Sequence, residues 1–231
     1  MPPPTSFLET LPREEAELIR AECATVELRT GQVLADVGKA FGDAYFPVSS
    51  VVSVTTQMRD GRLVESTTIG REAVACLPGL LGSKLSRQHV VAQVPGSALA
   101  VPVETLRGLL GSLPEFEARL GLMADCMMTA MSQSAACLAL HPVPERCARW
   151  LLMTADRVDS NSFHLTQEYL AAMLGVHRPT VTIAARTLQL AGLIAYRRGE
   201  IQILDRAGLE AASCECYEVV RDVFREFLGG E

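Results

Sequence analysis

The chain lacks the long apolar runs that membrane-spanning segments require. None of its 231 residues lies in a run of the roughly 18–20 apolar residues needed to cross a bilayer. The N-terminus, Met1–Leu8, also lacks the basic region and the apolar core of a secretory signal. We therefore expect a cytoplasmic protein that makes no contact with a membrane.

Residues that bind metals are few and scattered. His89 is the only one of four histidines in the first 140 residues, so a haem ligand set or the His and carboxylate cluster of a metal enzyme is not expected there. The seven cysteines are irregularly spaced, unlike a disulfide framework. Cys214 and Cys216 form the only close pair, and no neighbouring His or Cys completes a set of three or four ligands. We predict no metal site, no catalytic residues and no enzymatic activity.

What the chain does have is enough apolar material for two folded domains, since 48% of its residues are hydrophobic. In about the first 110 residues, short apolar runs alternate with turn residues. Val48–Met58 predicts a pair of short strands closed by the hairpin turn Arg59–Gly61, and Val90–Val94 and Ala98–Val103 flank a second turn at Pro95-Gly96. This spacing predicts a β-sandwich or jelly-roll barrel.

A long helix is predicted from about Glu115 to Leu140. Its apolar residues recur mostly at steps of three or four and form one stripe, namely Phe116, Leu120, Met123, Met127, Met131 and Leu138. A helix of about 25 residues is well above the globular mean of about 11–12, and such helices often pair with a copy of themselves. We predict that the stripe forms a homodimer interface. Packing of the stripe on the chain's own β-domain is the alternative, and the helix could use both faces.

Two cysteines on this helix, Cys126 and Cys137, raise a second hypothesis, because oxidation there would change the helix geometry. A buried, inert thiol is the commoner fate. The redox role of these two cysteines, and of Cys214 and Cys216, stays open.

The break at His141–Pro144 ends the long helix and marks a domain boundary. The strongest motif follows it, in Leu165–Leu188. Thr166 is a plausible N-cap, and Gly175 provides the turn that ends the first helix. Pro179 suits the first turn of a second helix. Two short helices joined by a glycine turn predict a helix-turn-helix, whose second helix enters the DNA major groove.

The polar residues of this motif predict DNA contacts. Arg178 is the candidate for guanine recognition, with His177, Thr180, Thr182 and Arg186 nearby on the second helix. Thr180, Thr166 and Gln167 are better placed for phosphates, and Arg186, one turn further along, could reach the DNA backbone. The hairpin Leu193–Leu204 predicts a wing, whose Arg197 and Arg198 would contact phosphate. These arginines make the segment locally basic, although the formal net charge of the chain is −6.

With these motifs the chain resembles the CRP/FNR (cyclic-AMP receptor / fumarate-nitrate reductase regulator) family of transcription regulators. The most specific stretches are Leu165–Glu168 through Arg178–Val181 and, in the N-terminal part, Gly31–Leu34, Tyr45–Pro47, Asp60-Gly61 and Ile69–Glu72. The resemblance implies an α+β fold with three parts: a cyclic-nucleotide-binding-like β-roll (jelly roll) sensor domain over 1–112, a dimerisation helix over 113–141, and a winged helix-turn-helix DNA-binding domain over 142–231. It also implies a homodimer on roughly palindromic double-stranded DNA, with RNA polymerase as a further partner.

The resemblance further implies an effector pocket, with candidate residues Gly70, Arg71, Glu72, Arg87, Gln88 and Ser132. Family members that bind cyclic nucleotide use a Gly-Glu pair for the ribose and an Arg followed by Ser or Thr for the phosphate. Here Arg71 separates Gly70 from Glu72, and Gln88 follows Arg87. Because the pocket motif is altered, we expect a different effector, or none, rather than a cyclic nucleotide. The iron–sulfur branch uses an N-terminal cysteine cluster, and only Cys23 lies in that region.

Two functions fit these patterns. In the first, an effector at the β-roll controls a sequence-specific DNA-binding regulator allosterically. In the second, the regulator is constitutive, and its degenerate, ligand-free sensor domain serves only for folding and dimerisation.

Overall fold

The computed structural model describes residues 6–229 of the chain. Its first part is built from the alternating and β-branched runs of the sequence, which form seven strands among the described residues. These strands are β1 Ala24–Leu28, β2 Val33–Ala35, β3 Asp43–Pro47, β4 Val51–Gln57, β5 Leu63–Ile69, β6 His89–Val94 and β7 Gly96–Pro102. They form two antiparallel sheets, ordered β2-β6-β4-β5 and β1-β7-β3.

The predicted pair of short strands over 48–58 is one strand. Strand β4 lies between β5 and β6, and Val52 pairs with Ile69 on one side and Ala92 on the other. Both edges of β4 are therefore hydrogen-bonded, and the chain turns only at Met58–Arg62, where Met58 N donates to Arg62 O. The predicted hairpin at Arg59–Gly61 is confirmed, with Gly61 at φ 85°.

Four helices accompany or follow the strands of this unit: α1 Arg13–Ala21, α2 Leu77–Leu80, α3 Val103–Leu109 and the long α4 Pro114–Leu140. The start of α4 is fixed by α1. The two carboxylate oxygens of Glu15 accept hydrogen bonds from the amides of Glu115 and Phe116 at 3.1 and 2.8 Å. A carboxylate at this position satisfies free amides and complements the helix dipole.

The apolar stripe of α4 lies against the chain itself, which is the alternative to a dimer interface that the sequence left open. Phe116, Leu120, Met123 and Met127 are buried within the monomer, and Met131 is partly buried. The Phe116 ring packs 5.9 Å from the Phe7 ring. The remaining member, Leu138, is 38% exposed. The stripe packs inward because α4 covers its own β-domain and because the C-terminal helix also returns to it.

The opposite face of α4 is exposed over its whole length. Its exposed residues recur at steps of three and four: Ala118, Gly121, Leu122, Asp125, Met128, Ser132, Ala135 and Ala139. We call these eight residues the outer face of α4. Leu122 and Met128 are its large apolar members, at 59% and 61% exposure.

The chain breaks at His141-Pro142, as predicted, and a second unit follows. It consists of α5 Val143–Val158, β8 Ser162–His164, α6 Gln167–Leu174, α7 Arg178–Leu190, β9 Ile194–Arg197, β10 Glu200–Ile203, α8 Arg206–Ala211 and α9 Cys216–Phe227. The three strands form a small antiparallel sheet in the order β8-β10-β9. Helix α9 packs back along α4, where the guanidinium of Arg119 donates to the Phe227 carbonyl at 2.7 Å. Across residues 6–229, no helix is both long enough and apolar enough to span a membrane.

Candidate nucleic-acid interface

Helix α6 begins and ends where the sequence predicts. The side chain of Thr166 caps it by accepting a hydrogen bond from the Tyr169 amide at 3.2 Å. Gly175 ends it in the left-handed conformation at φ 64°, which favours glycine. Leu170, Met173 and Leu174 face inward. The residues that hold the helix in place therefore leave its N-terminal end at the surface.

Helix α7 crosses α6 as the second helix of the motif. Its buried face carries the four predicted residues Val181, Ala184, Ala185 and Leu188. Arg178, Thr182 and Arg186 are exposed on the other face, and His177 is exposed at the N-cap position. Thr180 is only half-buried between the two faces. The predicted polar residues therefore lie together on one accessible surface.

A side-chain contact joins the two helices on this surface. The Thr182 hydroxyl lies 2.9 Å from Oε1 of Gln167 and 3.1 Å from the Arg178 carbonyl. The hydroxyl has one proton, which either acceptor can take, and in both cases Thr182 lies against Gln167 and does not point freely outward. We therefore regard Thr182 as a residue that positions Gln167.

The predicted wing is present as β9 and β10. Arg198 and Gly199 form its tight turn, at φ 53° and 87°. The Tyr196 hydroxyl donates to the Leu165 carbonyl at 2.7 Å, which ties the wing to the start of α6. Arg197 and Arg198 are both exposed at the tip.

The arginines of this surface are unpaired. Among residues 6–229, no carboxylate lies within 4.0 Å of Arg178, Arg186, Arg197 or Arg198, whereas Arg206 and Arg221 of the same unit are both ion-paired. Unpaired guanidinium groups are available for phosphates and for guanine edges. Ile183, which the sequence did not predict as a contact, is 68% exposed on the same face of α7.

The candidate effector residues do not form one pocket. Gly70, Arg71 and Glu72 contact the end of α5: Oε1 of Glu72 lies 2.7 Å from Nε of Arg157, and both side chains are buried. A Cβ at Gly70 would lie 2.7 Å from Cγ of Arg157, so Arg157 fills the space beside this glycine. Arg71 also reaches α5, with Nη2 3.4 Å from the Arg157 carbonyl.

The other candidate effector residues lie elsewhere. Gly70 follows Ile69, which pairs with Val52 near the start of β4. Arg87 and Gln88 precede His89, which pairs with Thr55 towards the other end of β4. At about 3.3 Å per residue along a strand, these two groups are well over 10 Å apart. Ser132 lies on the outer face of α4. The structure therefore assigns the Gly70–Glu72 motif to the contact between the two units.

A second polar contact joins the two units at Glu65 of β5. Its carboxylate accepts a hydrogen bond from Nε1 of Trp150 at 2.8 Å, and the Ser53 hydroxyl lies 2.5 Å from its other oxygen. Burial raises the pKa of Glu65 from its ordinary 4.5 to about 7, and the hydrogen bonds from Ser53 and Trp150 oppose that rise. The contact therefore contains a carboxyl group that titrates near neutral pH.

A third feature corrects the prediction that Cys214 and Cys216 lack further ligands. Cys137 and His141, at the end of α4, lie beside them, and one ligand atom from each of the four residues lies within 4.8 Å of the others. The sequence contained one signal for this set, because Cys137 and His141 are four residues apart and so share a helix face. Their approach to Cys214 and Cys216 depends on the packing of α9 along α4.

The comparisons with known proteins agree with this architecture. Residues 145–212 match the Crp-like helix-turn-helix domain family. No curated protein sequence matches the chain.

Solved structures match over most of the chain. FixK2 from Bradyrhizobium japonicum superposes with a TM-score of 0.70 at 18% identity, over 83% of this chain and 98% of that one. CLP of Xanthomonas campestris, a c-di-GMP responsive global regulator, gives 0.68 at 18% identity, over 83% and 99%. A CRP-family transcriptional regulator from Thermus thermophilus gives 0.65 at 20% identity, over 81% and 96%. The chain has the fold of CRP/FNR-type transcriptional regulators, with a Crp-like helix-turn-helix domain in its C-terminal unit.

Proposed function

We propose that this chain, with its CRP/FNR-type regulator fold and helix-turn-helix DNA-binding domain, acts as a homodimer whose DNA affinity is controlled through its β-roll. The observation that carries the proposal is the surface of α7 and the wing, where four arginines without an acidic partner among the described residues are exposed: Arg178 and Arg186 on α7, and Arg197 and Arg198 at the tip of the wing. Such a surface suits a basic contact with DNA even though the chain as a whole is acidic.

The residues of α7, of the wing and of the start of α6 suit different kinds of contact with DNA. Arg178, at the N-terminal end, can bind O6 and N7 of a guanine through two parallel hydrogen bonds. Ile183, one turn and a half further along, offers an apolar contact to a thymine methyl group. We assign phosphate contacts to Arg197 and Arg198 of the wing and to Thr166 and Gln167 at the start of α6. Sequence preference therefore depends on α7, and the wing contributes affinity.

Anisotropy titrations on a duplex enriched from a random pool test this division. Arg178→Ala should weaken binding by about 1–3 kcal/mol and relax the preference at one base pair. Arg197→Ala should weaken binding to all duplexes similarly and reduce the salt slope by about one. Arg13→Ala, which removes an exposed arginine of α1 that pairs with Glu17, is the matched control and should change neither. Equal effects of all three variants would contradict the proposal.

The dimer is proposed on the outer face of α4, not on the stripe expected from the sequence. The steps of three and four along this face are those of a coiled-coil seam, and its small residues permit close helix approach. Leu122 and Met128 supply the large apolar contacts. In sedimentation at micromolar concentration, Met128→Glu should convert a dimer to a monomer, whereas Leu81→Glu, at a leucine 54% exposed on the β-roll, should leave the dimer intact. A wild-type monomer would exclude this interface.

Allosteric control is proposed through the contacts of β5 and the Gly70–Glu72 motif with α5. A change in the β-roll would shift the second unit through Trp150 and Arg157. Such control requires two arrangements of the units and an effector that binds one of them more tightly than the other. The second candidate function is a constitutive regulator that binds no effector. It is favoured by the position of Arg157, which fills the space beside Gly70. A thermal-shift screen separates them, because a ligand of the folded β-roll raises the melting temperature and an unliganded platform gives no shift with any compound.

A further inference from the structure

We propose that Cys137, His141, Cys214 and Cys216 bind one zinc ion, which clamps the end of α4 to the start of α9 and to the connection that precedes it. The four residues come from two parts of the chain more than 70 positions apart, and all four ligand atoms converge on one point. Three thiolates and one imidazole form a recognised ligand set for structural zinc.

The distances fit a single ion. Sγ of Cys137 lies 3.5 Å from Sγ of Cys214, and Sγ of Cys216 lies 3.5 Å from Nδ1 of His141. In a tetrahedron with metal–sulfur bonds of about 2.3 Å, two sulfurs are about 3.8 Å apart. These two separations, together with the limit of 4.8 Å on every pair of ligand atoms, are short enough for one ion to reach all four residues. A cluster of several irons would hold its thiolates further from one another.

The surroundings orient the ligands. Nε2 of His141 lies 3.1 Å from a carboxylate oxygen of Glu215, which fixes the proton on Nε2 and leaves the lone pair of Nδ1 facing the sulfurs. The amide of Gln133 donates to Sγ of Cys216 at 3.1 Å. Arg149 lines the same small cavity as Cys137 and supplies positive charge beside the thiolates. A carboxylate behind a ligating histidine is a frequent feature of zinc sites.

The site is closed, as structural sites are. Cys137, Cys214 and Cys216 are at most 4% exposed, and they form a cluster of their own, separate from the main apolar core. Four protein ligands leave no position for a substrate, so the ion is expected to stabilise structure and not to catalyse a reaction. Its place, at the break between α4 and α5, would hold the two units in a fixed arrangement.

The test uses the full-length protein, purified without chelators. We expect one zinc per chain by mass spectrometry of the metal. After exchange, bound cobalt(II) should give the intense visible bands of a tetrahedral site and a thiolate charge-transfer band. Chelation should lower the melting temperature by about 5 °C or more.

Cys216→Ser should lose the metal and the cobalt bands, and Cys126→Ser, the same change on α4 outside the site, should keep both. If Cys216→Ser does not fold, His141→Gln provides the same comparison at a partly exposed ligand. Three results would overturn the proposal: wild-type protein without zinc or cobalt bands, iron with labile sulfide in place of zinc, or a Cys137–Cys214 disulfide in freshly isolated protein. None of these readouts involves DNA, so failure of the zinc site would leave the proposed regulator function untouched.

Discussion

Replacing Glu65 by Gln should stabilise the protein strongly at pH 8 and by less than about 1 kcal/mol at pH 5. Burial raises the pKa of Glu65 to about 7, against 4.5 for an ordinary glutamate. The folded state therefore holds this proton more tightly than the unfolded state does. The stability that the proton contributes is fully present below pH 4.5 and is lost as the pH rises through 7.

The magnitude follows from linkage. Between pH 5 and pH 8, a shift of this size changes the free energy of unfolding by about 2.5 kcal/mol. The introduced glutamine would resemble the protonated carboxyl, because its amide can donate to Ser53 while its oxygen accepts from Trp150. The charged groups that face the carboxylate are Arg149 and Arg157 of α5, and Tyr169 of α6 faces it as well. The attraction of the two arginines for the carboxylate opposes the effect of burial but does not cancel it.

Urea denaturation of the wild type and of Glu65→Gln, at steps from pH 5 to pH 8, measures this difference. The two curves of stability against pH should lie within about 1 kcal/mol of each other at pH 5 and diverge further as the pH rises. Glu27→Gln, at an exposed position on β1, is the control and should stay parallel to the wild type. Parallel curves for Glu65→Gln would refute the reasoning, because they would mean that the carboxyl has the same pKa in the folded and unfolded states.

Two further predictions concern the contacts between and within the units. Gly175→Ala should cost about 1–2 kcal/mol in urea denaturation, because φ is 64° there and the new Cβ would lie 3.3 Å from Val64. Gly108→Ala, at an exposed position of α3 with open space around it, should be neutral or stabilising. Equal effects of the two substitutions would contradict the argument. Arg157→Met should cost about 3–5 kcal/mol because it leaves the carboxylate of Glu72 buried and unpaired. The double variant with Glu72→Gln should recover part of that loss in a double-mutant cycle, and strictly additive losses would show that the pair is not coupled.

The helix-turn-helix and its wing could be predicted from sequence because their signals are local. Thr166, Gly175 and Pro179 each fix a backbone conformation within a few residues, and the structure places the helix ends at or beside them. The wing turn at Arg198-Gly199 is similarly local. Such positions can be recognised without knowing what the rest of the chain does.

The features that could not be predicted depend on contacts between distant parts of the chain. The apolar stripe of α4 indicated a buried face, but periodicity does not say whether a face is buried against the same chain or against a partner. The pairing of Glu72 with Arg157 spans 85 positions, and that of Glu65 with Trp150 also spans 85. Cys137 and Cys214 are 77 positions apart, so their convergence follows from tertiary packing alone.

The most direct test of the central claim is selection of DNA from a random duplex pool with the full-length protein. A homodimer with one α7 per half-site should enrich sequences with two inverted half-sites, whose centres are about one helical turn apart. The same selection with Arg178→Ala should lose the base preference at one position in each half-site. No enriched sequence, or an enriched sequence that Arg178→Ala selects equally well, would contradict the account of α7 as the element that reads DNA.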